Sequence, residues 1–492
     1  MSILEASVIA VYGLCLAFIF CYSMAQLHLT ILYWLHRKRR NAQFKQEQTL
    51  IKEWPKVTVQ LPLYNERYVA ARLIDAIAAL DYPTAQLQIQ VLDDSTDETK
   101  AIVQDKLKAY PHLTIQHIRR PNREGFKAGA LQYGLQTATG DFIAVFDADF
   151  VPSPDFLKRT VSGFTDAHIG VVQTRWGHLN EHYSLLTKLQ AFGLDAHFTV
   201  EQGGRNSGGH FINFNGTAGV WRKACILEAG GWQADTLTED LDLSYRAQLK
   251  GWKFVFMEDV EAPAELPAAM GALKSQQFRW TKGAAENARK HLLRVLKSGA
   301  PFSTKLHAIF HLFNSFVFIC VFLTALLSVP ILFIRENNPQ LDTFFRLGAV
   351  LLLSLLALVV FYWTALYTQS RKPWATTRRF VPDFFLFLCM SMGLSLHNSM
   401  AVAEGLLGKK TPFIRTPKYN LLNTQGTWRK QAYFMPSINA VTLLEGMLML
   451  YFFSGIILAL RFNDYGLLPF LVMLVIGFGA VFTYSLLHGR RA

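Results

Sequence analysis

Residues 142–149 have the sequence FIAVFDAD, in which an apolar run leads directly into two aspartates. The apolar part, 142–146, predicts a buried strand, and the aspartates then fall at its carboxyl end. Side chains two positions apart on an extended strand point to the same face, so Asp147 and Asp149 can act together. A divalent cation that bridges two phosphates needs oxygen ligands of this kind. Taken alone the pattern is weak, because D-x-D recurs by chance and surface turns favour aspartate.

The sequence around this stretch alternates strand and helix patterns. Three more apolar runs precede it and, like 142–146, are followed by helix-compatible stretches: 57–63, 87–92 and 113–118. Alternating β and α units predict an α/β domain with a doubly wound, mostly parallel sheet. Ligands bind such sheets at the carboxyl ends of the strands. Polar groups stand there in this sequence, since Tyr64 and Glu66 follow the first strand and Asp93 and Asp94 end the second.

Helix capping is the competing explanation for two of the acidic motifs. Ser95-Thr96-Asp97-Glu98 is a good helix start, but it leaves Asp93 and Asp94 unexplained, and these could accept from a nucleobase or a ribose hydroxyl. Thr238-Glu239-Asp240 precedes a helical pattern at 241–249. Thr238 as N-cap, with the acids favoured by the helix dipole, explains this triplet as well as a catalytic role does.

A fourth motif, Gln276-Gln277-Phe278-Arg279-Trp280, lies on a basic helical stretch from about 268 to 297. Arginine can bind phosphate through two parallel hydrogen bonds, and tryptophan offers a flat face to a sugar or base. The alternative is an interfacial helix with a tryptophan anchor and basic residues facing lipid headgroups. Both explanations can hold together.

The composition predicts a membrane protein with a polar middle. Of 492 residues, 51% are hydrophobic and only 17% are charged, and the charges are concentrated in the middle of the chain. These values exclude a disordered chain, and neither a purely soluble protein nor a pure membrane bundle fits them. The net charge of +13 favours cytoplasmic loops and anionic lipid over nucleic acid. Five cysteines without a CxxC pair indicate neither a zinc site nor a disulfide framework.

Five apolar runs are long enough to cross a bilayer: 6–35, 306–334, 347–370, 438–460 and 465–488. A further run, 380–407, is ambiguous because it contains four polar residues: Asp383, His397, Asn398 and Glu404. If it crossed the membrane, the basic residues between 409 and 430 would lie outside, against the positive-inside rule. If it lies in the interface, the basic clusters 37–40, 371–379, 409–430 and 490–491 share one side, and the outer loops keep Arg335, Arg346 and Arg461. We therefore predict five spans and an interfacial helix at about 380–407.

The four motifs, taken in order along the chain and followed by membrane spans, resemble a known pattern. They are similar to the D, DxD, TED and QxxRW motifs of processive family 2 inverting glycosyltransferases, the cellulose synthase-like group. The resemblance covers about residues 50–490, and the segment FINFNGTAG at 211–219 looks most like the mannan and glucan synthases of that group.

The resemblance implies a GT-A-type α/β domain combined with an α-helical transmembrane region. It implies a general base, Asp240, with Glu239 beside it. The nucleotide-sugar donor would bind Tyr64, Glu66, Asp93, Asp94, Lys127, Asp147, Gln276 and Arg279. The acceptor sugar would contact Asn215, Gly216, Thr217 and Trp280. A divalent metal, Mg²⁺ or Mn²⁺, would be held by Asp147 and Asp149, with Asp149 favoured as the direct ligand.

A further match lies at 413–418 (FIRTPK), which resembles the FxVTxK gating loop that closes over the nucleotide in this group. Thr416 and Lys418 would be its contacts to the donor, and Arg415 stands where the family has valine. Such a loop must face the cytoplasm, in agreement with the predicted topology. The alternative is a juxtamembrane basic segment held by anionic lipid.

These expectations divide the chain into an N-terminal anchor (1–40), a cytoplasmic catalytic domain (41–300) and a C-terminal membrane region (301–492). The last region would contain four spans, the interfacial helix and a gating-like loop at 411–420. The N-terminus would lie outside and the C-terminus in the cytoplasm, with the protein in the cell (inner) membrane.

The predicted function is transfer of a hexose from UDP-glucose or GDP-mannose to a growing β-linked polysaccharide, β-1,4 in type, with export through the spans. The expected partners are the nucleotide sugar, the polysaccharide and the bilayer, and no nucleic acid. One alternative is transfer of a single sugar to a lipid acceptor. Another is a transporter with an accessory nucleotide-binding domain, for which Glu445 within a span is thin support.

Overall fold

The computed structural model describes residues 1–47, 53–341, 343, 345, 348–370, 372–422, 428 and 438–489. Its strands are β1 (Val57–Leu63), β2 (Leu87–Asp93), β3 (Thr114–Ile118), β4 (Phe142–Val145), β5 (Ile169–His178), β6 (Gly219–Arg222) and β7 (Lys253–Ala264). The helices of the first half are α1 (Ile3–Glu47), α2 (Ala70–Ala78), α3 (Thr99–Lys108), α4 (Phe126–Leu135), α5 (Phe156–Val161), α6 (Leu185–Asp195), α7 (Gln202–Ser207), α8 (Lys223–Glu228) and α9 (Glu239–Leu249). Those that follow are α10 (Met270–Lys297), α11 (Phe302–Leu312), α12 (Phe316–Asn337), α13 (Leu353–Ser370), α14 (Pro373–Gly393), α15 (Ser395–Leu407), α16 (Ala440–Arg461) and α17 (Leu468–His488).

A seven-stranded sheet with the order β3-β2-β1-β4-β6-β5-β7 forms the centre of the α/β domain. Its strand pairs are parallel except at β6, which runs antiparallel to β4 and β5. The predicted doubly wound, mostly parallel sheet is therefore confirmed. The four predicted strands are found with ends that differ by at most one residue. Strands β2 and β4 are buried along their whole length because helices cover both faces of the sheet.

The register of the central strands brings the predicted site residues to one edge. Leu63 of β1 pairs with Asp93 of β2, and Gln60 of β1 pairs with Val145 of β4. These strands are parallel, so the residues after each of them emerge on the same side. Two segments of the chain some 80 positions apart, at 64–66 and 146–149, thus become neighbours.

Five helices are long and apolar enough to cross a membrane: Ile3–Arg37 of α1, and α12, α13, α16 and α17. Each of these helices falls within or overlaps one of the predicted runs. Because of these five helices, the chain is an integral membrane protein. The predicted run 306–334 comprises two helices, because α11 ends at Leu312 and α12, the helix long enough to cross, begins at Phe316. Helix α11 carries buried polar side chains, among them Thr304 and His311, which contact His210 and Tyr245 of the α/β domain.

The predicted interfacial helix is two helices, α14 and α15, which meet at an angle of 51°. Helix α14 lies between α6 of the α/β domain and the membrane helices α13 and α17. Lys188 of α6 forms a 2.6 Å ion pair with the buried Asp383, and Phe192 of α6 packs against Phe380 and Phe387. Helix α15 packs along α10 and α12.

Taken together, α14 and α15 are also long and apolar enough to form one bent span. The topology with five spans and an interfacial segment therefore stays a prediction. Some of the basic residues on which the predicted topology depends lie outside the described residues: Arg346, Arg371, Arg429, Lys430, Arg490 and Arg491.

Candidate active site

A cavity of about 190 Å³ opens at the carboxyl edge of the sheet. Strand ends, the loop before β6, the start of α9 and the middle of α10 surround it, and segment 413–418 closes one side. The predicted site residues that line it are Tyr64, Glu66, Asp94, Lys127, Asp147, Asp149, Asn215, Gly216, Glu239, Asp240, Gln276, Arg279, Trp280, Thr416 and Lys418. Two predicted residues do not line it, Asp93 and Thr217.

Asp93 and Thr217 lie behind the cavity wall. The Asp93 carboxylate lies 2.9 Å from His117 Nε2 and accepts a 2.8 Å hydrogen bond from the Ser95 N–H. Burial opposes ionisation of Asp93, but these hydrogen bonds outweigh it and lower its pKa. Thr217 Oγ1 accepts from the Asp147 N–H at 2.9 Å. Both side chains therefore position their neighbours.

Each carboxylate of the DxD motif lies beside an ammonium group. Lys127 Nζ is 2.6 Å from Asp147 Oδ1, and Lys418 Nζ is 2.6 Å from Asp149 Oδ2. Asp149 also accepts from the Glu265 N–H at 3.2 Å. The oxygen donors of these carboxylates are those that Mg²⁺ and Mn²⁺ prefer, so the residues fit a divalent cation.

Glu265 is a third carboxylate at this place that sequence reasoning missed. Its side chain is buried, and burial raises its pKa. Tyr419 N–H donates to its Oε1 at 2.8 Å, while its Oε2 has no hydrogen-bond partner among the described residues and lies 3.8 Å from the Arg72 guanidinium. Glu265 directly follows β7, which was not among the four predicted strands, so no predicted strand end pointed to it.

The capping explanation for Thr238-Glu239-Asp240 is wrong, because the hydrogen bond from the helix to the Thr238 side chain that it requires is absent. Thr238 holds the N-cap position of α9, but its side chain caps nothing and instead accepts from Asn287 Nδ2 at 3.0 Å. Burial, and then the neighbouring Glu239, raise the pKa of Asp240 to about 7. A carboxylate that ionises near neutral pH is well suited to act as a general base.

The space beside Asp240 is kept open by Gly216, which has a φ of +79°. A Cβ at this position would lie 3.0 Å from Asp240 Oδ2. Next to it, Asn215 Nδ2 is buried and has no hydrogen-bond partner among the described residues. This amide can donate to a hydroxyl that enters the cavity.

Two aromatic side chains form a further wall of the cavity. They are Trp280 of α10 and Trp176 of β5, with ring centroids 6.4 Å apart. The Trp176 ring packs against the Phe198 ring, with centroids 4.5 Å apart. Phe198 lies on a π-helical turn that packs against α1 and α13. Sequence reasoning missed Trp176, and also His178 two positions later, because no motif marks the end of β5.

Segment 413–418 lies inside the cavity mouth. Arg279 Nη2 donates to Thr416 Oγ1 at 2.9 Å, and its guanidinium lies 4.7 Å from the Phe413 ring. Arg415 Nη1 is 2.9 Å from Glu66 Oε2, within a buried pair in which burial raises the pKa of Glu66 to about 8. A segment held on lipid would not occupy this position, so the position favours the loop interpretation.

Comparison with known proteins shows to which family the chain belongs. Residues 55–283 match the model of the glycosyltransferase like family 2. The chain is 36% identical over 384 residues to glucomannan 4-beta-mannosyltransferase 1 of Oryza sativa, an alignment that covers 74% of this chain and 69% of that protein. The chain belongs to the cellulose synthase-like family 2 glycosyltransferases. The predicted fold class and enzyme class are thereby confirmed.

Two further relatives match this family 2 glycosyltransferase over a shorter stretch. A probable glucomannan 4-beta-mannosyltransferase of Oryza sativa is 43% identical over 294 residues, 56% of this chain and 54% of its own. Glucomannan 4-beta-mannosyltransferase 2 of Arabidopsis thaliana is 41% identical over 294 residues, 56% and 55% of the two chains. The chain thus spans about half the length of these two relatives. A solved mannosyltransferase from Pyrobaculum calidifontis, in complex with GDP-mannose and Mn²⁺, aligns with 78% of this chain at 20% identity and a TM-score of 0.47, too remote a likeness to inform the site.

In this glycosyltransferase, α10 is also tied to the membrane helices. Buried Lys274 donates to Glu445 of α16 at 2.7 Å and to Ser485 of α17 at 3.0 Å. Glu445 is therefore paired with a lysine of the catalytic region. This pairing accounts for an ionisable group in a span and removes the support it gave to a transport path.

Proposed function

We propose that the chain is a membrane-embedded, inverting mannosyltransferase that extends a β-1,4-linked polysaccharide from GDP-mannose. The observation that carries the proposal is that Asp240, with its raised pKa, lines the same cavity as the carboxylates Asp147 and Asp149. The printed names of the relatives favour mannose over glucose, and hence GDP-mannose over UDP-glucose.

In the proposed reaction, the Asp240 carboxylate takes the proton of an acceptor hydroxyl as its oxygen attacks the anomeric carbon of the donor sugar. The nucleoside diphosphate leaves from the opposite face, so the configuration inverts in one displacement without a covalent enzyme intermediate. Lys127, Arg279 and Lys418 line the cavity and can offset the charge of the leaving diphosphate. A divalent metal held by Asp147 and Asp149 would add to this charge compensation.

Chain extension, rather than a single transfer to lipid, is favoured by the course of the aromatic wall. Trp280 and Trp176 line the cavity, and the buried Phe198 behind Trp176 lies on the turn that packs against α1 and α13. A sugar polymer that stacks on the two tryptophans would therefore lie on the side of the cavity near these spans. Segment 413–418, held by Arg279 and Glu66, would cover the donor side of the same cavity.

The proposal is tested by incubating the purified protein with GDP-mannose and, separately, UDP-glucose in the presence of Mg²⁺ or Mn²⁺. We expect GDP release and a product that a β-1,4-mannanase degrades. Consumption of UDP-glucose alone would replace mannose by glucose as the transferred sugar. A product that stays a single sugar on lipid would contradict chain extension, and no turnover of either donor would contradict the proposal as a whole.

Trp176→Ala should weaken acceptor use without affecting donor binding. Loss of one aromatic wall should raise the KM for an added manno-oligosaccharide by about tenfold, the scale of one aromatic contact. The measurement is the initial rate against acceptor concentration at saturating GDP-mannose. Trp374→Ala is the matched control, because the Trp374 side chain is 84% exposed and lies away from the cavity. An unchanged acceptor KM in Trp176→Ala would contradict this role.

Topology is testable with single cysteines in a variant that lacks the five native ones. Lys410 lies exposed just before the loop, and Asn337 is exposed at the end of α12. We expect impermeant maleimide to label Asn337→Cys in intact right-side-out cells, and Lys410→Cys only after the cytoplasmic side is opened. Labelling of Lys410→Cys in intact cells would show that α14 and α15 span the membrane.

These two positions are better probes than their neighbours. Asn420 has a φ of +59° and its side chain accepts from Arg72 at 2.6 Å, so a cysteine there would disturb the loop. Asn338, which the topology also predicts to be reachable from outside, is only 5% exposed.

A further inference from the structure

Three histidines from separate parts of the chain meet where the N-terminal membrane helix reaches the catalytic domain. His28 lies on α1, His210 follows α7, and His307 lies on α11. One ring nitrogen of each lies within 4.8 Å of the others, and His28 Nδ1 is 2.9 Å from His307 Nε2. None of the three lines the active-site cavity.

The hydrogen bonds of His210 leave one ring nitrogen available. His210 is 7% exposed, and its Nδ1 lies 3.2 Å from Thr304 Oγ1. The Thr304 hydroxyl lies 3.5 Å from the Gly209 carbonyl, to which it can donate, and so it can accept from Nδ1–H. His210 Nε2 is then a bare acceptor, and it is buried without a hydrogen-bond partner among the described residues. Histidines that bind metals show this arrangement, in which one nitrogen donates to a fixed partner and the other binds the ion.

Two of the histidines, His210 and His307, are in the protonation state that metal binding requires. Burial lowers the pKa of His210 to about 4 and that of His307 to about 3. Their rings are therefore neutral at physiological pH, and a metal need not displace a proton from a cation. The nearest charges, Arg205 and Glu201, form an ion pair with each other and so compensate mutually.

Within the apolar part of α1, Ile3–Arg37, we place the cluster at the edge of the membrane rather than inside it. Just after His28, α1 packs against the catalytic domain: a Cβ on Gly204 would lie 2.3 Å from the Leu29 carbonyl oxygen. One turn on, the Tyr33 hydroxyl donates to Glu258 of β7 at 2.7 Å. Residues 3–27 still suffice to cross the hydrocarbon core, which takes about 20 residues. His28 itself is exposed, so an ion can enter from its side.

We propose that His28, His210 and His307 form a binding site for Zn²⁺ that fastens the membrane anchor to the catalytic domain and to α11. Imidazole nitrogens favour Zn²⁺ over Mg²⁺ and Mn²⁺, which separates this site from the oxygen-lined active site. Zinc–nitrogen bonds of about 2.0–2.1 Å place tetrahedral ligands roughly 3.4 Å apart. The His307 ring is stacked between the other two, with centroids 4.2 Å from His210 and 5.0 Å from His28, so binding would require the rings to turn their nitrogens toward one point. Water would take the fourth position on the exposed side of His28.

The test is a zinc titration of the full-length, tag-free protein in detergent, stripped with EDTA and then kept in excess Mg²⁺. A chromophoric chelator competes for the zinc, and the thermal unfolding midpoint is recorded with and without it. We expect one zinc per chain and a higher midpoint with zinc. His28→Ala and His210→Ala should each weaken zinc binding by at least about tenfold and abolish the zinc-dependent rise.

His112→Ala is the matched control, because His112 is an exposed histidine on the surface before β3, and it should behave as the wild type. His28→Ala removes an exposed side chain whose described hydrogen bond is to His307, so its midpoint without zinc should fall by a few degrees at most, while the zinc-dependent rise should be lost. This distinguishes loss of the site from loss of the fold. Absence of saturable zinc binding by the wild type at micromolar concentrations would overturn the proposal. Undiminished zinc binding by a folded His28→Ala variant would overturn it too.

Discussion

Asp240→Asn should reduce sugar transfer by about 10²–10⁴-fold, the range expected for loss of a general base. The substitution keeps the shape of the side chain and its contact with the Leu241 N–H but removes the proton acceptor. Donor binding should stay within a few-fold of wild type, because Asp240 faces the acceptor side near Gly216. Release of the nucleoside diphosphate measures the first effect, and titration calorimetry with the donor measures the second.

Asp235→Asn serves as the matched control for Asp240→Asn. Asp235 precedes the same helix, and its side chain is 56% exposed. It should leave the rate near that of the wild type. If Asp240→Asn retained more than a small fraction of wild-type turnover, another group would have to be the base.

The same assignment predicts a pH dependence. Asp240 must be ionised to accept a proton, and burial raises its pKa to about 7. Below that pH the carboxyl group is protonated, so kcat/KM should fall by about tenfold per pH unit, whereas above it the rate should level off. A wild-type profile that stays flat through neutral pH would contradict a base with this pKa.

Asp149→Asn should lower metal-dependent donor binding and turnover by about 10²-fold or more, because the diphosphate charge would lose compensation. Donor titrations in Mg²⁺ or Mn²⁺, with and without a chelator, measure the effect. Asp155→Asn, at a side chain that is 54% exposed, is the matched control. If a chelator left wild-type activity unchanged, the metal role of Asp149 would be wrong.

Lys418→Ala separates the metal role of Asp149 from its contact with the loop. This variant also breaks the 2.6 Å contact between Lys418 and Asp149 but leaves both DxD carboxylates in place. Its activity should fall, yet it should still depend on the divalent metal. Metal-independent activity in Lys418→Ala would mean that the DxD carboxylates serve only to hold the loop.

Much of the fold and the site could be predicted because local sequence and topology agree. The four predicted strands are short apolar runs, and the parallel register then forces the groups at their ends together. Adjacent strand residues point to opposite faces, which is why Asp94 lines the cavity while Asp93 turns away to His117. The sequence alone offered this distinction through strand alternation.

Other features depend on tertiary contacts that leave little local signal. The break between α11 and α12 falls at Asn314 and Ser315 within a mostly apolar stretch, and the contacts of His307 and His311 with distant segments help to hold α11 as a separate helix. Trp176 and Glu265 enter the cavity because β5 and β7 pair, and no motif announces that pairing. For the same reason, three histidines separated by 182 and 97 positions gave no sign of a common site.

The contact between Lys274 and the spans has a mechanical consequence. Arg279 lies five residues beyond Lys274 on the same rigid helix, about 7.5 Å along its axis. Glu445 and Ser485, which lie on two different spans, both accept hydrogen bonds from Lys274. A change in the tilt of these spans would therefore displace the α10 side chains that are proposed to hold donor and acceptor. Spans adjust their tilt to the thickness of the surrounding bilayer. The acyl-chain length of the host lipid would thus act as a control on catalytic geometry, transmitted through the contacts of α10 that include the buried Lys274 ammonium group.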